Sequence, residues 1–385
     1  MKISILTPNV SDNNLGRAHI LAKVLQRRWP VEIIGPMFGD ALWYPVADDK
    51  SIEYKYIKAR NFSISYRQML QLSKEISGDV IYASKPLICS YGVGLLHKLM
   101  KKKPLILDID DWETGLSKES YKKLTLAQKA TNFIFSLKNK ASYWNIVFME
   151  KLTPLADEIT VSNSFLQNKF GGTIIPHGRD TDLLNPERFD KAALRENFGV
   201  KKQRVISYIG TPRAHKGIED LIEAVSRIRT SEILLLLVGI TNQSENLCSL
   251  AREKLGAKRV MCFGEQPITK IGKFLAISDI VVVPQRDSSA TKGQTPAKIF
   301  DAMSMAIPVI STVTNDIPQI LEGCGLIVES GNVEAMEDKI NLLLENKDLA
   351  SGLGKNARQK CIEKYSWDVM EEYLFPIVNQ YTKKC

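Results

Sequence analysis

The feature that most constrains this chain is a rhythm of apolar runs. Segments rich in Val, Ile and Leu fall at 3–6 (ISIL), 31–34 (VEII), 79–83 (DVIYA), 104–108 (PLILD) and 158–162 (EITVS), separated by stretches long enough for helices. Strands buried on both faces need near-continuous apolar runs, and parallel neighbours need a long crossover between them. The rhythm resumes at 204–210, 233–239, 259–264, 280–284 and 308–312. Between the two blocks lies GGTIIPHGRDTDLLNPERFD, dense in Gly, Pro, Asn and Asp, the composition of a chain leaving one domain for the next. A chain of 385 residues also exceeds what a single core usually supports. The pattern therefore predicts an α/β fold class with two doubly wound parallel sheets. The expected domains are 1–185 and 186–366, with a linker near 178–200. The last stretch, 367–385, has helical apolar spacing that Pro376 is expected to kink or break, and it is expected to pack back on the first domain.

Several function classes are disfavoured at this level. The opening MKISILTPNV is too short an apolar run for a signal peptide, and the longest later run, Ile233 to Ile240, cannot span a bilayer. A cytoplasmic location is the expectation. The six cysteines, Cys89, Cys248, Cys262, Cys324, Cys361 and Cys385, show no CxxC pairs, which argues against a zinc site or a disulfide framework and for reduced thiols. Only Gly16 follows the first strand, in TPNVSDNNLG, where a nicotinamide dehydrogenase would carry G-x-G-x-x-G. Charge is uneven: residues 1–180 hold 25 basic and 17 acidic side chains, the remainder 27 and 26. A basic half can attract nucleic acid, anionic lipid or a phosphorylated substrate. No recognition helix or aromatic platform accompanies it, so nucleic acid is not an expected partner.

In open parallel sheets ligands sit beyond the carboxyl ends of strands, and two such edges facing each other would make a cleft. Two loops at such ends carry phosphate-type chemistry. In YIGTPRAHKGIEDLIEAV a strand ends at Gly210 and a loop bearing Arg213, His215, Lys216 and Gly217 opens an amphipathic helix. Gly217 allows close backbone approach, the helix start favours an anion, and Arg213 and Lys216 add positive charge. A solvated basic turn is the plainer reading. In KGQTPAKIFDAMSMAIPVI a Gly and Pro loop opens a helix, with main-chain donors expected near Thr295, Ala297 and Lys298. Asp301, within that helix, is placed to accept hydrogen bonds from a ribose diol.

Together these segments resemble the carboxyl-terminal domain of family 4 glycosyltransferases, retaining enzymes of the two-Rossmann GT-B fold. IIPHGRDTDLLNP resembles that family's domain-joining stretch, ADEITVSNSFL its preceding segment, and PAKIFDAMSMAIPVI its second signature, in the family's order. The resemblance implies two Rossmann-like doubly wound parallel-sheet domains facing across a cleft, the first on the acceptor side and the second binding a nucleotide sugar. It implies that Lys216 binds the donor diphosphate, that Asp301 holds the ribose hydroxyls, and that Gly16 belongs to the glycine-rich first loop. It implies a metal-independent transfer of sugar from a nucleotide-diphosphate donor, with configuration retained and no cofactor, to a glycan or lipid-linked acceptor. Three positions depart from the family pattern. Its arginine falls on Thr211, shifting that role to Arg213. Its first acidic position is Gly293, and its first-domain histidine aligns with Asp110.

Asp110, in LILDIDDWETG, is the candidate to orient the acceptor or serve acid/base chemistry. The triplet Asp108, Asp110 and Asp111 also resembles a divalent-metal motif, but it sits in the half without the nucleotide signatures, so no metal is expected. His19, His97, His177 and His215 share no metal-ligand spacing and read as structural or solvent-facing. The segment 117–149 mixes Lys118, Lys122, Lys123, Lys129, Lys138 and Lys140 with Phe133, Ile134, Phe135, Tyr143 and Trp144, opposed only by Glu119. Such a segment can dock on an anionic membrane, which would place the protein on the inner face of the cell membrane; an ordinary surface helix is the alternative. Two other functions fit the architecture: a catalytically silent sugar-nucleotide-binding protein and a sugar-nucleotide epimerase.

Overall fold

The computed structural model describes residues 1–60, 63–134, 142–229 and 232–381. Phe135, Lys138, Lys140 and Cys385 lie outside the described residues. The chain divides into two compact units: the first contains Met1–Pro176, Lys292–Thr295 and Met370–Cys385, the second His177–Thr291 and Pro296–Val369.

The first unit is a seven-stranded sheet of β1 (Ile3–Leu6), β2 (Val31–Met37), β3 (Glu53–Lys58), β4 (Val80–Ser84), β5 (Leu105–Ile109), β6 (Glu158–Val161) and β7 (Thr173–Ile174). The strands run in the order β3-β2-β1-β4-β5-β6-β7, with every pair parallel. The second unit repeats the plan with β8 (Arg204–Ile209), β9 (Ile233–Ile240), β10 (Val260–Gly264), β11 (Ile280–Val283), β12 (Val309–Thr312) and β13 (Gly325–Val328), ordered β10-β9-β8-β11-β12-β13. All its pairs are parallel as well. The expected α/β class of two parallel sheets is what forms. In each unit the order reverses beside the first strand, between β1 and β4 and between β8 and β11. At such switch points the carboxyl ends of the strands leave a crevice.

The cores show why the apolar runs are unbroken. Along β9, Leu234, Leu236 and Val238 enter one cluster while Ile233, Leu235 and Leu237 enter another. Successive side chains point to opposite faces, and helices cover both. Strands β3, β7 and β13 escaped the apolar-run reading. β3 is EYKYIK, with Glu53 and Lys58 exposed at the sheet edge; β7 has two residues; β13 is a four-residue run whose first three positions are half-buried.

The helix Trp367–Asn379 runs through Pro376 rather than breaking there. Proline deletes one donor, but Leu374 and Val378 stay fully buried and Phe375 packs edge-on against Trp29 at 5.0 Å. The expectation of six reduced cysteines also fails. Cys248, on the helix Glu245–Leu255, forms a disulfide with Cys262 on β10, with Cα atoms 6.4 Å apart. The pairing follows from that helix packing beside its own next strand, which cysteine spacing does not reveal. Cys89, Cys324 and Cys361 form no disulfide among the described residues.

Candidate functional site

The expected site residues divide between the units. Arg213, Lys216, Gly217, Ala297, Lys298 and Asp301 belong to the second; Gly16, Asp110 and Thr295 belong to the first.

In the second unit the loop after β8 turns through Ala214–Lys216 into the helix Ile218–Arg227. Gly217 is left-handed, at φ 63°, and a Cβ there would stand 2.0 Å from the Pro284 carbonyl oxygen. Only glycine lets this turn close against the end of β11. Arg286 clamps the same contact: its amide donates to the His215 carbonyl at 3.0 Å, and its guanidinium donates twice to Asp220, at 2.9 and 2.7 Å. Glu219 and Asp220 already occupy the first turn of the helix, so the positive charge of this loop comes from side chains.

Lys216 is buried, and its Nζ donates to Gln285 Oε1 at 3.1 Å. Gln285 is itself fully buried, and its Nε2 has no partner among the described residues. Lys298 Nζ donates to the Tyr208 hydroxyl at 2.5 Å and lies 3.9 Å from the centre of that ring. Burial, reinforced by the nearby Lys216 charge, pushes the Lys298 pKa well below the usual lysine value, with Asp301 opposing. Two ammonium groups that disfavour one another thus share the crevice where β8 and β11 end. Such a pair suits a group carrying two negative charges, which would repay its desolvation.

Asp301 is held by Arg179. The guanidinium pairs with both carboxylate oxygens through Nε and Nη2, and Nη2 also donates to the Ala297 carbonyl at 3.1 Å. Arg179 is further fixed by its main chain: its amide donates to the Tyr365 carbonyl and its carbonyl accepts from Trp367. A ribose diol at Asp301 would share that carboxylate with Arg179. At the start of the helix Lys298–Ser304, the amides of Ile299, Phe300 and Asp301 are spent on the carbonyls of Pro296 and Ala297. Those of Ala297 and Lys298 make no such bond among the described residues.

The first unit has the opposite imbalance. Lys85, in the left-handed region at φ 68° just past β4, is buried. Its Nζ lies 3.1 Å from Asp110, 2.7 Å from Asp111 and 2.8 Å from Glu113. Burial opposes the Lys85 charge, yet the three carboxylates hold its pKa well above the usual value. One cation cannot satisfy three anions. Burial, with repulsion from Asp111 and Asp108 partly offset by Lys85, pushes Asp110 up to about 7. Burial raises Glu113 as well.

Asp108 stands apart, held at both oxygens by the buried Arg17 at 3.0 Å and by Thr160 at 2.8 Å. The aspartate triplet therefore does not converge on one point: Asp108 faces Arg17 while Asp110 and Asp111 face Lys85. No group of three or more candidate metal ligands occurs among the described residues. Gly16 is the second residue of the helix Leu15–Leu25 and is followed by this same Arg17, so the start of that helix is tied to Asp108 on β5.

The stretch Lys292–Thr295 packs here too. Gln294 donates to Asp111 at 2.9 Å, and Asn163 donates to the Gly293 carbonyl at 3.2 Å. A Cβ on Gly293 would stand 2.4 Å from Trp112 Cβ, so this position has no room for an acidic side chain in this arrangement. Thr295 is buried.

Sequence reasoning missed Lys85, Arg179 and Gln285, and read Lys298 only for its amide. Each had a faint signal. Lys85 directly follows β4 and Gln285 lies two residues past β11, Arg179 lies in the HGRD turn, and Lys298 sits where a loop becomes a helix.

Comparison with known proteins supplies the family context. Residues 190–360 match the family model described as glycosyl transferases group 1. N-acetyl-alpha-D-glucosaminyl L-malate synthase of Bacillus anthracis is 24% identical over 189 residues, covering 48% of this chain and 48% of that protein. GDP-mannose-dependent alpha-(1-6)-phosphatidylinositol monomannoside mannosyltransferase of Mycobacterium tuberculosis is 23% identical over 228 residues, covering 56% and 59%. The chain thus spans about half the length of these curated relatives. The crystal structure of Anabaena Alr3699/HepE in complex with UDP-glucose superimposes with a TM-score of 0.79 at 17% identity, covering 99% of this chain and 100% of the other, which shows a shared fold.

Proposed function

We propose that this chain, whose residues 190–360 belong with glycosyl transferases group 1, moves a sugar from a nucleotide-diphosphate donor to an acceptor. The observation that carries the reading is the pair of lysines, buried Lys216 and half-buried Lys298, in the loops that follow β8 and β11. A diphosphate placed there meets two ammonium groups and the Arg213 loop. As the bond to the sugar breaks, negative charge grows on the leaving phosphate, and fixed cations stabilise it without reorganising. Diphosphate binding also returns Lys298 to its charged form, because an anion offsets the burial and the Lys216 repulsion that disfavour it. In this reading protein cations take the part a metal plays elsewhere, and configuration is retained. One relative named above is GDP-mannose-dependent and the superimposed structure was solved with UDP-glucose, which makes UDP and GDP the first nucleotides to test.

Asp110 is the group proposed to meet the acceptor. With its pKa near 7 it can hold or release a proton close to neutrality, the property required of a group receiving an acceptor hydroxyl proton. A glycan or lipid-linked acceptor fits a second feature. Leu126, Phe133 and Phe148 expose 86%, 60% and 57% of their surface beside exposed Lys122 and Lys123. Apolar anchors flanked by cations suit the inner face of an anionic membrane. Flotation with neutral and anionic vesicles tests this part, and equal recovery with both would remove it.

The catalytic reading is tested by titrating UDP, GDP and ADP into the wild-type protein, Lys216→Ala and Lys298→Met, with and without EDTA. It expects one diphosphate to bind without metal and to lose about tenfold or more in affinity in either variant. It is abandoned if none binds, or if both variants bind as well as the wild type. A silent sugar-nucleotide binder is the second reading, favoured by the lack of room for an acidic side chain at Gly293. Release of free sugar from the bound donor separates the two, since the silent protein would show none.

A further inference from the structure

Three consecutive residues past β11 grip the loop that carries Lys216. The Pro284 carbonyl oxygen leaves no room for a Cβ on Gly217, which would stand 2.0 Å away. Arg286 donates its amide to the His215 carbonyl and its guanidinium to Asp220, and it reaches Glu219 at 3.7 Å. Between these two, Gln285 presents its side-chain Oε1 to Lys216 Nζ at 3.1 Å. Main-chain contacts thus fix the path of the loop, and a side-chain contact fixes where the ammonium lies.

Gln285 is itself anchored on both sides. It is fully buried, its amide donates to the Val283 carbonyl at 3.0 Å, and its carbonyl accepts from the Thr312 hydroxyl on β12. Its acceptor therefore stands at a set point beyond the strand ends. A lysine has a long stem whose rotamer freedom must be given up when it binds an anion, and a fixed acceptor removes that freedom beforehand.

The chemical type of the acceptor matters as much as its place. A carboxylate there would neutralise the ammonium and compete with an incoming anion, whereas a neutral amide aims the lysine and leaves its charge unspent. The two carboxylates in the first turn of the helix Ile218–Arg227, Glu219 and Asp220, face Arg286. Adjacent residues therefore divide the work, Gln285 holding the lysine and Arg286 holding nearby acids.

We infer that Gln285 is a positioning residue of the diphosphate site, presetting Lys216 for a phosphate oxygen without consuming its charge. The inference rests on the reading of Lys216 as a diphosphate ligand and adds to it a residue that acts through that lysine.

The test is a double-mutant cycle, read by calorimetric titration of the full chain with UDP, GDP and ADP, with thermal unfolding of each variant measured alongside. Gln285→Met keeps the length of the side chain and removes its acceptor. It should weaken the diphosphate that the wild type binds by about tenfold, the worth of a hydrogen bond to a charged group. In a Lys216→Met background the same substitution should cost less than about twofold, because the lysine it acts through is gone. A merely structural glutamine would weaken binding equally in both backgrounds. Gln285→Glu keeps size and acceptor but adds a charge; it should fold, should weaken binding by about tenfold or more, and decides the matter if Gln285→Met does not fold. The inference is overturned if a folded Gln285 variant binds as tightly as the wild type, or if the losses in the cycle add. Weak binding by Lys216→Met beside full affinity in the Gln285 variants would sink this inference alone. A wild type that binds none of the three nucleotides would sink the diphosphate reading and this inference with it.

Discussion

The ends of β4 and β5 in one unit and of β8 and β11 in the other solve opposite electrostatic problems on the same sheet plan. The first gathers Asp110, Asp111 and Glu113 around a single buried Lys85. The second brings Lys216 and Lys298 together, with a glutamine and a phenol as their hydrogen-bond partners. Excess carboxylate is relieved by taking up a proton, and excess ammonium by losing one or by binding an anion. A shared topology therefore fixes where chemistry can sit, while the side chains at strand ends decide its sign.

The comparison breaks most readily at Lys85. Lys85→Met leaves the buried Asp110 and the half-buried Asp111 and Glu113 without their cation and should cost about 3 kcal/mol in urea unfolding. An unchanged midpoint would mean the cluster is solvated rather than buried.

Asp110 supplies the next effect. Its pKa in the folded protein lies above that of an unfolded aspartate, so the native state keeps an extra proton between about pH 4 and 7. The stabilisation from this group is complete below that window and is lost as pH rises through it. Relative to Asp110→Asn, the wild type should lose stability across the window, by on the order of a few kcal/mol. Parallel stability curves for the two proteins would contradict the raised pKa.

Lys298→Met sharpens the other half. Removing a half-buried ammonium that its surroundings disfavour should leave the melting temperature unchanged or higher, while nucleotide diphosphate affinity falls about tenfold or more. Loss of both together would make Lys298 a structural residue. The smallest effect belongs to Gly293→Ala, whose added methyl meets Trp112 and should cost about 1 kcal/mol in thermal unfolding.

Much of the fold was legible because buried parallel strands leave an unmistakable trace. β9 is eight apolar or glycine residues in a row, and no other simple arrangement hides such a run so fully. β3 was illegible because an edge strand with polar residues looks like a loop. Part of the site was legible for a related reason: Lys216 and Gly217 sit where a strand must turn into a helix, and that turn restricts the residue types. Lys85 had no comparable signature. Its role exists only because β4 and β5 lie side by side, bringing it to residues 25, 26 and 28 positions later. The disulfide between Cys248 and Cys262 was hidden likewise, since whether two cysteines meet depends on the helix and strand that carry them.

By itself the sequence determined the class of fold, two parallel sheets in tandem, and where the loops that follow the strands fall. Periodicity and turn chemistry act between near neighbours, so they can be read along the chain. Tertiary structure alone decided which charges face each other: that Arg17 takes Asp108 while Lys85 takes Asp110 and Asp111, that Arg179 holds Asp301, and that Lys298 rests on Tyr208. Those pairings come from strand order and crossover packing. An ion pair's sign and strength depend on distance through space and on burial, neither of which is encoded at any single position.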